Sequence, residues 1–166
     1  LMLYPTTSAH IPAGRIATVC NLSIPGYRTA WHEHDEYMFL MPESGSLIVS
    51  TEADQRGQKV ASRILAVIEP CVSHQTMTEG MNNRHTAVYV DKEFVAFCER
   101  KAHASVTGKP RRSRNSTLSF CAPTPSLVHS LQLYASLQQA AQPREFERYR
   151  TGLIERLVAS ACIEAA

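Results

Sequence analysis

No Cys-x-x-Cys pair occurs in the 166 residues, and the five cysteines (Cys20, Cys71, Cys98, Cys121 and Cys162) are scattered and odd in number. That usage leaves no disulfide framework to read and fits free thiols in a reduced, cytoplasmic protein. No apolar run approaches the roughly 18 residues of a membrane-spanning helix, so no membrane partner is expected. The opening Leu1-Met2-Leu3-Tyr4-Pro5 has neither the basic region nor the apolar core of a signal peptide. No Ser/His/Asp arrangement and no phosphate-binding loop is visible. What is present is ordinary for a globular chain, 44% hydrophobic and 19% charged, and long enough for one cored domain, with or without an appendage.

The net charge of +2 hides an asymmetry. Residues 1–99 carry 7 basic and 11 acidic side chains, whereas residues 100–166 carry 10 basic and 4 acidic. The basic excess peaks at Lys109-Pro110-Arg111-Arg112-Ser113-Arg114, which reads as a solvated connector more readily than as a nucleic-acid contact. The two halves look like different structural units.

Along the first half, short runs of β-forming residues alternate with turn signals. Strands are expected at Arg15–Leu22, Tyr27–Met41, Ser46–Ser50, Lys59–Ser62, Ile64–Ile68, His74–Thr78 and Arg84–Val90. Pro25-Gly26, Pro42-Glu43-Ser44-Gly45 and Glu79–Asn83 supply turns. About eight closely spaced strands with no helix between them imply a barrel or sandwich. Asp91 then caps a helix from Lys92 to about Ala102. Ala104–Ser119 is polar and basic. Pro125 opens a second helix with Leu127, Val128, Leu131, Tyr134 and Ala135 at helical spacing. After Gln142-Pro143 a third carries Phe146, Tyr149, Leu153, Ile154, Leu157, Val158 and Ala161 as one apolar stripe. Those helices must bury that stripe on the barrel, on each other or on a partner chain.

The stretch with most chemistry is Trp31-His32-Glu33-His34-Asp35-Glu36-Tyr37-Met38-Phe39-Leu40. On a strand, His32, His34, Glu36, Met38 and Leu40 share a face. His74, forty residues on, supplies a third imidazole. A lone His-x-His pair is weak evidence; three histidines on two strands can converge on a divalent metal.

The order of these features resembles the cupin superfamily, and within it the N-terminal effector-binding domain of AraC-type transcription regulators. Gly26, five residues, His32-Glu33-His34 and the closing Gly45 resemble the first cupin motif. Glu69-Pro70-Cys71-Val72-Ser73-His74 resembles the second, where the family commonly has Pro-Pro-Gly-Val-Pro-His. Arg84–Asp91 is similar to the strand-then-helix passage that closes the barrel, and the Pro-led helix pair is like that of the regulators. The resemblance runs from about Ala13 to Ala161. One departure is that the family's Glu ligand would fall at Met38 or Phe39, so Glu36 comes too early.

The resemblance implies a mostly β, cupin-type (double-stranded β-helix or jelly-roll) barrel followed by C-terminal amphipathic α-helices. Its divisions would be residues 1–103 as barrel with closing helix, 104–124 as basic linker and 125–166 as helical pair. The implied function is small-molecule sensing without catalysis. A homodimer would form through Leu127, Leu131, Phe146, Tyr149, Leu153, Ile154 and Leu157, unless those helices dock on the barrel. DNA would be bound by a helix-turn-helix part beyond Ala166. His32, His34, His74 and the less secure Glu36 are the metal candidates, for one divalent ion of zinc, nickel, iron or manganese. Met38, Leu40, His85 and Tyr89 are the effector-contact candidates, with core packing the plainer role for Met38 and Leu40. The alternative is a stand-alone metal-dependent cupin enzyme of dioxygenase, isomerase or lyase type.

Overall fold

A computed structural model describes residues 16–105, 117–137 and 145–164, with eight strands and three α-helices among them. The strands are β1 (Ala17–Leu22), β2 (Tyr37–Ser44), β3 (Leu47–Thr51), β4 (Asp54–Val60), β5 (Leu65–Ile68), β6 (His74–Thr78), β7 (Arg84–Val90) and β8 (Leu118–Cys121). The helices are α1 (Lys92–Ser105), α2 (Pro125–Leu137) and α3 (Glu145–Val158), the last continuing as a π-helical segment, Ala159–Glu164.

The strands form a five-stranded antiparallel sheet, β1-β7-β2-β5-β8, and a three-stranded one, β4-β3-β6. Alternation along β2 shows how they stack. Phe39 and Met41 pack with Val88, Val90, Leu65 and Val67 against the helices. Met38 and Leu40 point the other way and pack with Ala66, Ile68 and Ala87 against Leu47, Val49 and Val60 of β3 and β4. The five-stranded sheet is therefore a middle layer, with helices on one face and the barrel chamber on the other. Each fully buried side chain of this kind, such as Phe39 or Leu40 at 0% exposure, stabilises by roughly 1.5–3 kcal/mol.

Local chemistry sets the element ends. Asp91 Oδ1 accepts the amides of Glu93 and Phe94 at 2.9 Å each and caps α1. Thr124 Oγ1 accepts the Leu127 amide at 3.2 Å, just ahead of Pro125 in the first turn of α2. The β2–β3 turn needs Gly45: its φ is +73°, and a Cβ there would lie 2.5 Å from the Asn82 carbonyl oxygen.

The mostly β, cupin-type architecture with C-terminal helices is thus as expected, but β4 runs from Asp54 to Val60 where a strand was expected only at Lys59–Ser62, and three further details differ. The long strand expected from Tyr27 to Met41 is broken: β2 begins only at Tyr37, and His32 makes an isolated bridge to His74. The stretch assigned to linker, 104–124, contains β8, which pairs with β5 from Leu118 to Cys121 and closes the edge of the larger sheet. Four residues with a single large aliphatic side chain are too short to show periodicity. Finally, Leu127, Leu131, Leu153, Ile154 and Leu157 lie at 0–3% exposure in the core that also holds Phe39 and Val88. A side chain buried in its own chain is not free to contact a partner, so these five dock the helices on the sheet. Tyr149, of the same expected set, is 41% exposed. The Phe146 side chain lies outside the described residues.

Candidate metal centre

The broken strand is what builds the site. Residues 27–32 run antiparallel beside β6: Thr78 N donates to Tyr27 O at 2.8 Å, Thr29 N to Thr76 O at 2.9 Å, and His32 and His74 exchange backbone bonds of 3.0 and 2.9 Å. The chain then crosses to β2, and this crossing carries His34. Its carbonyl accepts the Cys71 amide at 2.8 Å, which ties it to the loop before β6. Cys71 stands where the related motif has glycine, and its φ of +60° keeps the left-handed backbone that glycine favours. Its thiol donates to Asp35 Oδ1 at 3.4 Å.

His32, His34 and His74 converge, each with a ring nitrogen within 4.8 Å of the others. The ring centroids of His32 and His74 are 4.3 Å apart, and those of His34 and His74 are 5.0 Å apart. All three rings are held the same way. Nδ1 of His32, His34 and His74 donates to the carbonyl of Ala30, Glu36 and Val72, at 2.9, 2.8 and 2.8 Å. A proton on Nδ1 leaves Nε2 as the bare acceptor, the tautomer that a metal-ligating histidine needs. Nε2 of His34 and of His74 is buried and has no hydrogen-bond partner.

Electrostatics agree. Burial pushes the His74 imidazole down to about 4 and lowers that of His34, so both are neutral at pH 7. Neutral imidazole is the ligand form. These orphaned, neutral, pre-aimed nitrogens fit a divalent metal.

The remaining candidates fall as follows. Glu36 does not join the convergent group; its contribution is the carbonyl that orients His34. The strand parity that placed its side chain with the histidines fails because β2 starts one residue later. Met38 and Leu40 do face the chamber, at 4% and 0% exposure, as core. Tyr89 packs edge-on to His34 with centroids 5.2 Å apart, and burial raises its phenol. His85 faces the same chamber, at 1% exposure, farther along β7. Sequence reasoning missed Thr76, whose hydroxyl is buried without a partner, and Asn83, which holds His85. The alternation His74-x-Thr76-x-Thr78 was the available signal, and it is common in any strand.

No protein-family model matches the chain, and no curated protein matches it. Its fold does match solved structures of ToxT from Vibrio cholerae, an AraC-type regulator with a cupin-like N-terminal domain. An apo ToxT variant superposes with a TM-score of 0.66 at 9% identity, over 87% of this chain and 55% of that one. A second crystal form gives 0.59 at 11% identity, over 90% and 60%. ToxT with bound unsaturated fatty acid gives 0.57 at 10% identity, over 86% and 53%. The chain spans a little over half the length of these neighbours. No helix among the described residues is long and apolar enough to cross a membrane.

Proposed function

We propose that this chain is the small-molecule-sensing domain of an AraC-type transcription regulator. The observation that carries the reading is the combination of a cupin barrel with a docked helical layer, an arrangement shared with ToxT over 87% of the chain. The barrel holds the effector between its sheets, and the helices carry its occupancy to DNA-binding elements outside this chain. Such coupling requires the effector to favour one arrangement of the regulator over another by its binding energy. A homodimer is the expected assembly. With the leucine stripe consumed by the core, its contacts would fall on outward residues such as Leu133 and Tyr149, exposed by 51% and 41%.

His32, His34 and His74 would hold one divalent ion (zinc, nickel, iron or manganese) through Nε2. When bound, it would supply Lewis acidity and open coordination positions for an oxygen of the effector. The chain's own part is to fix three Nδ1 protons on backbone carbonyls and to keep the rings neutral. ToxT is known with a fatty acid bound, so a hydrocarbon-bearing effector is one class to include in a screen.

The reading frame past the codon for Ala166 tests the proposal. A continuation of about a hundred residues with helix-turn-helix patterns supports it. A stop codon removes the output and overturns it. The histidine trio favours one other reading, a metal-dependent enzyme of dioxygenase, isomerase or lyase type. That reading requires stoichiometric metal after purification without chelators, and turnover lost in His74→Ala.

A further inference from the structure

The metal centre accounts for two of the chamber's orphaned polar atoms and leaves two others. Nε2 of His85 and Oγ1 of Thr76 are buried, at 1% residue exposure each, and neither has a hydrogen-bond partner. A buried polar atom without a partner costs about 1–3 kcal/mol, and in native proteins it signals a missing water, ion or ligand.

Strand register places both. On β6, Thr76 lies opposite Val49 and His74 opposite Thr51, while Thr78 lies opposite Leu47. Val49 and Leu47 line the chamber, so His74, Thr76 and Thr78 line it too. On β7, His85, Ala87 and Tyr89 share the chamber face. Tyr89 meets His34 at one end, and His85 meets the Tyr27 ring, 5.0 Å away, at the other. Tyr27 is bonded to Thr78, four residues from His74. Both strands therefore put His85 about 13 Å from the metal centre, with Thr76 and the small Ala87 about halfway. A cleft of about 190 Å³ bounded by Ser23, Ser44, Asn82 and Asn83 lies at the His85 end, and Asn83 is also the residue that holds His85.

The chemistry of this second pole is set by Asn83. Its amide nitrogen donates to the Ser46 carbonyl at 3.2 Å, so its oxygen faces His85 and accepts Nδ1–H at 2.7 Å. The His85 proton is thereby fixed on Nδ1, and Nε2 is an acceptor only. Burial holds this ring neutral at pH 7. No cation faces His85 among the described residues: Arg150, buried as a whole, is on α3 in the helical layer, and Arg28, whose Nε is buried, stands opposite Met77 and donates to Gln75, on the β6 face turned away from His74 and Thr76.

We propose that His85 Nε2 forms a second effector subsite that accepts a hydrogen bond from a neutral hydroxyl-bearing molecule and rejects a carboxylate, with the Thr76 hydroxyl, which can donate or accept, between it and the histidine trio. It rests on the sensor reading and extends it: one pole of the chamber is a metal centre, and the other selects for a donor. A carboxylate there would meet a bare nitrogen lone pair with no countercharge, whereas an alcohol supplies the missing proton.

The test uses three probes of one chain length (1,6-hexanediol, hexan-1-ol and adipate) titrated into the metal-free protein by calorimetry, so that no zinc–carboxylate bond contributes. ¹⁵N NMR follows His85 in parallel. The diol should bind at least tenfold more tightly than adipate. In the free protein His85 should carry its proton on Nδ1, and the diol should shift the Nε2 resonance. His85→Phe should cost the diol at least fivefold, and His85→Gln, which keeps an acceptor oxygen, should recover part of that. Adipate binding as tightly as the diol, a proton found on Nε2, or diol affinity unchanged in His85→Phe would each overturn the subsite. So would the absence of binding by any probe, which is the result expected if an ordered water alone fills the position. None of these outcomes bears on the sensor reading, which stands or falls with the frame beyond Ala166. The NMR assignment needs no variant, so a misfolded His85→Phe does not leave the question open.

Discussion

The two faces of the five-stranded sheet alternate residue by residue along the same strands, yet they are finished differently. Toward the helices, Phe39, Met41, Val88 and Val90 meet Leu131, Ile154 and Leu157 in a wholly apolar contact. Toward the chamber, Met38, Leu40 and Ala87 share space with His34, His74, Thr76 and His85, four side chains with a buried polar atom left unpaired. One face is built for stability. The other withholds part of its hydrogen bonding, a cost that stable packing alone does not explain.

The strongest way to break this contrast is to put a charge on the apolar side. Leu157→Asp places an unpaired carboxylate at a position of 0% exposure and should cost about 4 kcal/mol or more, leaving the helical layer undocked. Urea denaturation followed by circular dichroism measures it. A variant that folds normally and changes only its sedimentation would show that α3 is an interface and not core. Phe39→Ala removes a large ring from the same layer and should cost about 3–5 kcal/mol with the metal affinity of the folded protein unchanged.

Acid should attack the chamber side selectively. His74 and His85 sit at about 4 in the folded protein, against about 6.5 unfolded. Above pH 6.5 both states are neutral and stability is flat. As pH falls from about 6.5 to about 4 the unfolded chain takes up protons first, so stability declines, by on the order of 3 kcal/mol for each ring. Urea midpoints of metal-free protein between pH 7.5 and 4 should show that decline, and His85→Gln should remove roughly half of it, the share of one ring. An unchanged midpoint across the window would mean that the rings are reachable by water.

Two substitutions should have smaller effects. Asp91→Ala removes the cap of α1 and should cost about 1 kcal/mol, without effect on either face. His74→Ala should abolish zinc binding in a calorimetric titration while changing the stability of the metal-free protein by no more than about 1–2 kcal/mol, because the lost side chain carries an unpaired polar atom. A large loss in metal-free stability would place His74 with the structural residues.

The legible parts of the sequence were those with local signals. Arg84–Val90 reads as a strand from its β-branched residues and matches β7 residue for residue. Asp91 and Pro125 mark the starts of α1 and α2 because caps and first-turn prolines act within three residues. The His32/His34/His74 trio was legible as a candidate because residue type alone marks the three imidazoles, and the fold brings their rings together. What stayed hidden depended on partners distant in the chain. β8 exists through its pairing with β5, and the role of Thr76 depends on the strands that surround it. The break before Tyr37 was invisible because a two-residue alternation looks the same whether the segment is one strand or a bridge followed by a crossing.

Local sequence settled the types of most elements, the alternation that gives the sheet two faces, and which three histidines to look at. These follow from propensity, period and residue chemistry, all of which act over a few residues. Tertiary structure alone decided that the leucine stripe of α2 and α3 closes on its own sheet, that Glu36 offers a carbonyl where a carboxylate was expected, and that His85 ends with a bare acceptor nitrogen. Each of these depends on what stands opposite a side chain in space. Burial and hydrogen-bond pairing are properties of that neighbour as much as of the residue, and the neighbour is chosen only when the chain folds.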